Sequence, residues 1–341
     1  MTTAHPPLAV VIIGAGKGTR MRSALAKVLH PLAGRPLMAH VLALAAQLAP
    51  QKLVAVVGHQ AEAVRQICEP FGATCVRQEP QLGTGHAVGQ AEPVLHGFSG
   101  DVLVLYGDVP LLQAETVQRL WDEHRRRQAA VTVLTAVLDD PSGYGRMVRD
   151  AQGYIQRIVE ERDASAQELA IREINSGIYC LQAPFLFHAL TRVGSHNAQG
   201  EQYLTDVVGI AVADGHTVAH VTVPDAQEIT GVNTRVELAQ LEAVLRWRLC
   251  EAHMLAGVTI IDPASTTLDA DVRIGQDTVI APQTHILGAS SLGAGCHIGP
   301  QVVIQDCTLG DGVRVEPFCY LREQAVSAQA TVAAFSHLTA P

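Results

Sequence analysis

Short aliphatic runs alternate with helical patterns over the first two thirds of the chain. Residues 8–13, 53–57 and 102–106 are continuous aliphatic runs bounded by glycine or polar residues, which is typical of strands buried on both faces of a parallel sheet. The stretches between them, residues 36–48, 61–68 and 113–127, have helical periodicity. This alternation predicts an α/β fold with an open, doubly wound, mostly parallel sheet, whose ligands bind at the carboxyl ends of the strands.

A different pattern follows residue 257. Aliphatic residues recur at every sixth position, at Leu268, Ile274, Ile280, Ile286, Leu292, Ile298 and Ile304. The series then slips by one residue twice, continuing as Leu309, Val315 and Leu321 and then as Val326, Val332 and Leu338. A six-residue period is neither helical nor a heptad, and it predicts a short left-handed parallel β-helix of hexapeptide repeats.

Between the two patterns, residues 233–251 carry an apolar stripe at helical spacing. We therefore expect an α/β domain over residues 1–232, a bridging helix over residues 233–256 and a β-helix over residues 257–341.

The amino-acid composition limits the classes of partner that the chain can bind. The 341 residues are 48% hydrophobic and 17% charged, which favours a packed core over disorder. The net charge of −9 disfavours nucleic acid and anionic lipid as partners. Seven cysteines without a C-x-x-C pair indicate free thiols in a reducing compartment. With no signal-peptide pattern and no apolar run of membrane-spanning length, we expect a cytoplasmic location.

The segment that follows the first predicted strand, residues 14–20, is GAGKGTR. Glycines let a backbone approach a ligand closely, and successive amides form an anion-binding nest. Arg20, and Lys27 a few residues later, add positive charge. The segment matches neither G-x-G-x-x-G nor the Walker A pattern. From these residues alone, a phosphate-binding loop and an ordinary glycine-rich turn both remain open.

Asp108 follows the predicted strand 102–106, at the sheet edge where ligands bind. A carboxylate there suits Mg²⁺, which prefers hard oxygen ligands, but a turn residue ahead of Pro110 fits equally well. Asn233, taken alone, is interpreted as the N-cap of the bridging helix.

An ordered set of motifs links these features. They are GAGKGTRM (14–21), AKVL (26–29), LAGRPL (32–37), QLGTGHA (81–87), LYGDVPL (105–111), GYGR (143–146), IVE (158–160), EINSG (173–177), NAQGE (197–201) and GVN (231–233). Over essentially the whole chain, this set resembles the sugar nucleotidyltransferase family, and within it the bacterial N-acetylglucosamine-1-phosphate uridyltransferases. The resemblance implies Mg²⁺-dependent transfer of UMP from UTP to N-acetylglucosamine 1-phosphate by residues 1–232. The products would be pyrophosphate and UDP-N-acetylglucosamine, a cell-wall precursor.

The resemblance also implies roles for single residues. Arg20 and Lys27 would be catalytic, and Asp108 and Asn233 would hold Mg²⁺. The nucleotide would contact Ile13, Gly14, Ala15, Gly16, Lys27, Gln78, Gly83 and Thr84. The sugar would contact Tyr106, Gly107, Gly145, Glu160, Asn175 and Asn233. Taken one by one from the sequence, these polar residues fit solvated loop positions as well.

The chain departs from the family pattern at several positions. Ala26 stands where the family has proline before the lysine, which we expect to loosen the aim of Lys27. His337 and Thr339 correspond to two family arginines, of which the second belongs to an acetyltransferase site. Because that arginine and the later residues of the site are missing, we expect no acetyl transfer.

We expect the β-helix to support a homotrimer. Two alternatives stay open: the same chemistry on another sugar 1-phosphate or nucleotide, and a non-catalytic nucleotide-sugar sensor.

Overall fold

The computed structural model describes residues 6–339, and these form two units. One unit contains the chain up to His30 together with Pro36–Arg235, and the other contains Pro31–Arg35 and the chain from Val236 onward. The insertion at Pro31–Arg35 has no counterpart in the division predicted from the sequence. The predicted boundaries at 232/233 and 256/257 stay predictions.

Within the described residues, the first unit is built on a nine-stranded sheet. The strands, together with the hairpin β2–β3 that interrupts them, are β1 (Leu8–Gly14), β2 (Pro31–Leu32), β3 (Arg35–Pro36), β4 (Lys52–Val57), β5 (Thr74–Arg77), β6 (Asp101–Tyr106), β7 (Val131–Val137), β8 (Gly145–Arg149), β9 (Ile155–Val159), β10 (Glu173–Gln182) and β11 (Val218–Thr222). The sheet order is β11-β7-β10-β6-β1-β4-β5, and β8 and β9 branch from β10. β1 is parallel to β4 and β6, whereas β10 is antiparallel to β6 and β7.

Helices cover both faces of this sheet. They are α1 (Leu37–Gln47), α2 (Ala61–Cys68), α3 (Thr84–Gly89), α4 (Ala114–Arg127), α5 (Ala166–Leu169), α6 (Ala183–Leu190) and α7 (Asp206–Ala213). Val10 and Ile12 of β1 pack into a core with α1, α2 and α4. Ala9 and Val11 of the same strand pack into a second core with α3, α6 and α7. Because alternate side chains of a strand point to opposite faces, β1 needs an unbroken aliphatic run, and the prediction of a doubly wound sheet is confirmed.

The second unit contains most of α8 (Arg235–Leu255) and a stack of short parallel strands. The strands are β12 (Thr259–Ile260), β13 (Thr267–Leu268), β14 (Arg273–Ile274), β15 (Val279–Ile280), β16 (His285–Leu287), β17 (Ser291–Leu292), β18 (His297–Ile298), β19 (Val303–Gln305), β20 (Thr308–Leu309), β21 (Arg314–Val315), β22 (Tyr320–Arg322), β23 (Ala325–Val326), β24 (Thr331–Val332) and β25 (His337–Thr339). In the described part of the chain they form three parallel sheets of five, five and four strands. Every aliphatic residue of the six-residue series lies on one of these strands, so the predicted left-handed β-helix is confirmed.

The slip in the six-residue series has a structural cause. Ile280 pairs with Ile298, a step of eighteen residues, whereas Ile298 pairs with Val315, a step of seventeen. The missing residue belongs to the turn between β19 and β20, where Asp306 has a left-handed backbone with φ 52°. The second slip has the same form, because Glu323 in the turn between β22 and β23 has φ 53°. Two successive coils are therefore each one residue shorter at this corner, and the strands on both sides of it stay in register.

The hairpin β2–β3 packs within the second unit. The Ala33 amide donates to Glu242 Oε2 on α8 at 2.8 Å, and the Ala270 amide donates to the Ala33 carbonyl at 2.9 Å. Gly34 has φ 76°, and a Cβ there would lie 2.3 Å from Asp269 Oδ2. Glycine is therefore favoured at position 34 of this hairpin.

Candidate active site

A cleft of about 510 Å³ opens in the first unit at the carboxyl ends of β1 and β6. Fourteen residues assigned to the site from the sequence line it: Ile13, Gly14, Gly16, Arg20, Lys27, Gln78, Gly83, Thr84, Tyr106, Asp108, Gly145, Glu160, Asn175 and Asn233. They come from distant parts of the chain, and the fold brings them to one edge of the sheet. That edge is where the α/β pattern places a ligand.

Two assigned residues, Ala15 and Gly107, do not line the cleft. Ala15 is buried, and its carbonyl accepts a hydrogen bond from the side chain of Gln81. The Gly107 amide donates to the Ile13 carbonyl at 2.9 Å, and a Cβ on Gly107 would meet Met38 Sδ at 2.6 Å. Both residues therefore support the wall of the cleft from behind.

The glycine-rich segment leaves β1 at Gly14 and ends in a 3₁₀ turn, Thr19–Met21. Gly18 has φ 61°, and a Cβ there would lie 2.5 Å from Lys27 Cβ. A side chain at this position would combine backbone strain with a clash. Gly18 thus allows the loop and Lys27 to pack directly against each other.

Four polar side chains converge beside this loop. Lys27 Nζ forms an ion pair with Asp108 Oδ2 and donates to Asn233 Oδ1 at 3.1 Å. Arg20 Nη2 donates to the same Asn233 oxygen at 2.9 Å. The Val232 amide donates to the Asp108 carbonyl at 2.9 Å, which fixes the backbone next to Asn233 against the end of β6. Two cations and two oxygen ligands thus share one corner of the cleft.

This corner fits Mg²⁺. The Asp108 carboxylate and the Asn233 side-chain oxygen Oδ1 both contact the Lys27 ammonium, so two hard oxygen donors lie beside one another. Among the described residues, no cluster of three or more His, Cys, Asp or Glu side chains could hold a metal. Mg²⁺ is commonly held by one or two protein ligands together with substrate phosphates and water, and two oxygens match that requirement.

The loop after β5 is braced by residues 202–204. Gln78 is buried, and its Nε2 donates to the Gly83 carbonyl at 2.9 Å. Gly83 has φ 111°, and a Cβ there would lie 2.5 Å from the Gln202 carbonyl oxygen. The Leu204 amide donates to Thr84 Oγ1 at 3.0 Å. Gln78, Gly83 and Thr84 therefore form a fixed edge of the cleft.

Glu160 also lines the cleft. Glu160 Oε1 accepts a hydrogen bond from Thr205 Oγ1 at 3.2 Å. Burial raises the pKa of the Glu160 carboxyl; the Thr205 hydroxyl lowers it, and the negative charges of Asp163 and Asp206 raise it further. Burial also raises the pKa of the nearby Tyr106 hydroxyl, so that group stays protonated.

Asn175 lies on β10, next to a break in the pairing of that strand with β7. Its Oδ1 accepts from the Gly177 amide at 3.0 Å. Gly177 has φ 83°, and a Cβ there would lie 2.8 Å from the Tyr106 ring. Gly177 therefore contacts both Asn175 and the Tyr106 ring, and all three residues line the cleft.

The sequence left other lining residues without a role. Gln81, Gly143, Tyr144, Ser176, Gly177 and Glu201 line the cleft, and their positions within the family motifs were the signal that could have found them. Val28, Ala87, Tyr179, Leu204 and Thr205 also line it. For Thr205 and Tyr179, neither periodicity nor charge gave a signal, because only the folded chain places them beside Glu160 and Tyr106.

Two family models match the chain. The MobA-like NTP transferase domain matches residues 10–204, which include most of the cleft. The bacterial transferase hexapeptide model, with six repeats, matches residues 271–306 of the β-helix.

The chain is also similar to curated proteins along most of its length. It is 51% identical over 334 residues to the bifunctional protein GlmU of Trichlorobacter lovleyi, covering 97% of this chain and 72% of that protein. It is 48% identical over 328 residues to the bifunctional protein GlmU of a Geobacillus species, strain WCH70, covering 96% of this chain and 71% of that protein.

Among solved structures, the chain is similar to a UDP-glucose pyrophosphorylase in complex with UDP-glucose. The TM-score is 0.58 at 15% sequence identity, covering 71% of this chain and 99% of the other. At this identity, the likeness is one of fold.

Proposed function

The chain belongs to the GlmU family and is a nucleotidyltransferase, and we propose that it transfers UMP from UTP to N-acetylglucosamine 1-phosphate in a Mg²⁺-dependent reaction. The observation that carries the proposal is the group formed by Arg20, Lys27, Asp108 and Asn233 beside the glycine-rich loop. It places positive charge and metal-binding oxygens at one point of a cleft lined by polar residues.

The reaction needs charge neutralisation and alignment more than proton transfer. A phosphate oxygen of the sugar phosphate attacks the α-phosphorus of UTP, a new P–O bond forms, and the bond to pyrophosphate breaks. The attacking oxygen is already an anion near neutral pH, so no general base is required. Lys27 and Arg20 bind the phosphate oxygens and stabilise the charge that develops on them.

Asp108 and Asn233 would hold Mg²⁺, which when bound supplies positive charge to the phosphate oxygens. Both residues contact Lys27. Lys27 is therefore in position to bind phosphate from the same corner of the cleft.

Gln78, Gly83 and Thr84 would recognise the uracil base. The base presents carbonyl and imide groups along one edge, and an amide side chain together with backbone groups can satisfy both kinds. Because Gln78 is hydrogen-bonded to Gly83, this edge is already ordered and suited to a base of fixed size.

The sugar would bind between Tyr106, Gly145, Glu160 and Asn175. A carboxylate and an amide provide the acceptors and donors that hydroxyl and acetamido groups need. A Cβ at Gly145 would lie 3.0 Å from Ile158 Cγ2 and 3.5 Å from Glu160 Oε2. The absence of a side chain at this position leaves the Glu160 carboxylate accessible to the sugar.

The test is pyrophosphate release with UTP, CTP, dTTP and GTP, each combined with a panel of sugar 1-phosphates and Mg²⁺. We expect UTP with N-acetylglucosamine 1-phosphate to give the highest kcat/KM. Lys27→Ala should lower it about 10²- to 10³-fold, the effect of removing one group that stabilises transition-state charge. Lys52→Ala, an exposed lysine at the start of β4, is the matched control and should keep parental activity.

Two outcomes would favour the alternatives. A higher kcat/KM with another nucleotide or sugar phosphate would change the proposed specificity but keep the chemistry. Tight UTP binding with no pyrophosphate from any pair would indicate a nucleotide-sugar sensor.

We also propose that the chain assembles as a trimer through its second unit. Phe318 and Phe335 stack on neighbouring coils with ring centroids 5.0 Å apart, and both are exposed. Burial of these rings against another copy would remove apolar surface from water. Sedimentation would then give about three times the chain mass of 36.3 kDa.

The expected lack of acetyl transfer, based on Thr339, stays a prediction.

A further inference from the structure

Ala26 directly precedes Lys27 and takes the place of a proline in the family pattern. Its backbone has φ −57° and ψ 140°, which lies within the range that a proline ring imposes. The chain therefore keeps the geometry of proline at this position without the ring. An alanine has more backbone freedom to lose than a proline, so another contact must hold the turn that begins at Lys27.

The side chain of Gln60 provides that contact. Gln60 Oε1 accepts a hydrogen bond from the Ala26 amide at 2.7 Å, and Gln60 Nε2 donates to the Ala24 carbonyl at 3.0 Å. Both ends of one amide group are thus bonded to the backbone just before Lys27. Proline has no N–H, so the first bond is available only because residue 26 is not proline.

Gln60 is itself anchored. It lies between β4 and α2 with a left-handed backbone, φ 52° and ψ 41°, and its carbonyl accepts from the Val64 amide at 3.1 Å. Two residues earlier, a Cβ on Gly58 would lie 2.5 Å from the Ala15 carbonyl oxygen. The connection from β4 to α2 therefore packs against the glycine-rich loop and also bonds to the turn before Lys27.

We propose that Gln60 is a positioning residue for Lys27, and that its two hydrogen bonds replace the constraint a proline would impose at position 26. Gln60 is exposed and does not line the cleft, so its side chain acts on the ligand indirectly, through the backbone that precedes Lys27. The inference rests on the proposed function, in which Lys27 binds the triphosphate. It also revises the expectation that Ala26 loosens Lys27.

A double-mutant cycle tests this inference, with the parent compared with Gln60→Ala, Ala26→Pro and the double variant. Gln60→Ala should lower kcat/KM for UTP about three- to tenfold, the effect of losing one or two neutral hydrogen bonds. Ala26→Pro should stay near the parent because the ring holds φ and the exposed Gln60 side chain, whose Oε1 lies 2.7 Å from the residue 26 nitrogen, can turn away from the ring. In the proline background, Gln60→Ala should cause no further loss, so the two changes should be strongly non-additive.

Two readouts separate positioning from general stability. The Ala26 amide should exchange slowly with solvent in the parent and faster in Gln60→Ala. UTP binding measured without Mg²⁺ should weaken in Gln60→Ala and recover in the double variant. Gln118→Ala is the matched control, since the side chain of this half-buried glutamine bonds only to Asp122 among the described hydrogen bonds.

If Gln60→Ala does not fold, Gln60→Glu replaces it in the cycle. Glutamate keeps an acceptor for the Ala26 amide but has no donor for the Ala24 carbonyl, and we expect a smaller loss. Parental kinetics in both Gln60 variants, or equal losses in the alanine and proline backgrounds, would overturn the inference. Lys27→Ala separates the two proposals: if it is inactive while Gln60→Ala is parental, only the positioning role fails. If Lys27→Ala keeps full activity, the assigned role of Lys27 fails.

Discussion

At the residue scale, Glu160 gives the proposed sugar site a dependence on pH. Burial and the charges of Asp163 and Asp206 raise the pKa of its carboxyl, so Glu160 takes up a proton at a higher pH than a solvated glutamate. Only the ionised carboxylate is a charged acceptor for a sugar hydroxyl. The KM for the sugar phosphate should therefore rise as pH falls through the raised pKa. The rise should be about tenfold or more, since a hydrogen bond to a charged group contributes ~1.5–3 kcal/mol.

Asp206→Asn is the comparison that isolates this effect. Removing one negative charge should lower the pKa of Glu160, so the rise in KM should begin at a lower pH than in the parent. The sugar phosphate titrates identically in both assays, and the difference between the two profiles reports on the protein. Superimposable profiles, or a shift to higher pH, would contradict the assignment of Glu160 to the sugar.

Much of the site could be predicted residue by residue because its motifs occur in a fixed order. The parts of the site that could not be predicted depend on contacts that form only in the folded chain. Thr205 bonds to Glu160 from 45 positions away, and no local pattern encodes that contact. The role of Gln60 was equally hidden, because the missing proline was visible in the sequence but the amide that compensates for it was not.

At the element scale, periodicity predicted what depends on burial. Strands β1, β4 and β6 and helices α1, α2 and α4 lie within a residue of their predicted bounds, because each buries a continuous run or a stripe. The hairpin β2–β3 was not predicted. It is held by a hydrogen bond to the Glu242 carboxylate and by a backbone hydrogen bond from Ala270, and these leave no periodic signal.

The short turn between β19 and β20 also belongs to this scale. Asp306 has φ 52°, and its Oδ1 accepts from the Ala289 amide at 3.0 Å. Asp306→Ala should destabilise the second unit by ~1–3 kcal/mol, since it loses the hydrogen bond and places alanine in a left-handed conformation. Asp306→Asn keeps both features and should stay near the parent in urea unfolding. Equal stability of the alanine and asparagine variants would show that the turn does not limit stability.

At the scale of the whole molecule, the two units have separate cores. The core of the second unit contains residues between Cys250 and Val332, and the two cores of the first unit lie between Leu8 and Ile229. Every residue that lines the cleft belongs to the first unit. In the described part of the chain, no helix is both long enough and apolar enough to cross a membrane.

This separation predicts that damage to the coil core leaves nucleotidyl transfer intact. Ile286 is fully buried in the second unit, and Ile286→Ala should destabilise that unit by ~2–5 kcal/mol, because it removes buried apolar surface and leaves a cavity.

The two tryptophans, Trp121 and Trp247, lie in different units. With Trp121→Phe, the fluorescence of Trp247 reports on the second unit, and with Trp247→Phe that of Trp121 reports on the first. Ile286→Ala should move only the unfolding transition reported by Trp247 to a lower urea concentration. The kcat/KM for UTP should stay within about twofold of the parent, because no residue of the cleft changes its packing. A shift of both transitions together, or a fall in turnover while the Trp121 transition is unchanged, would show instead that the β-helix is coupled to the state of the active site.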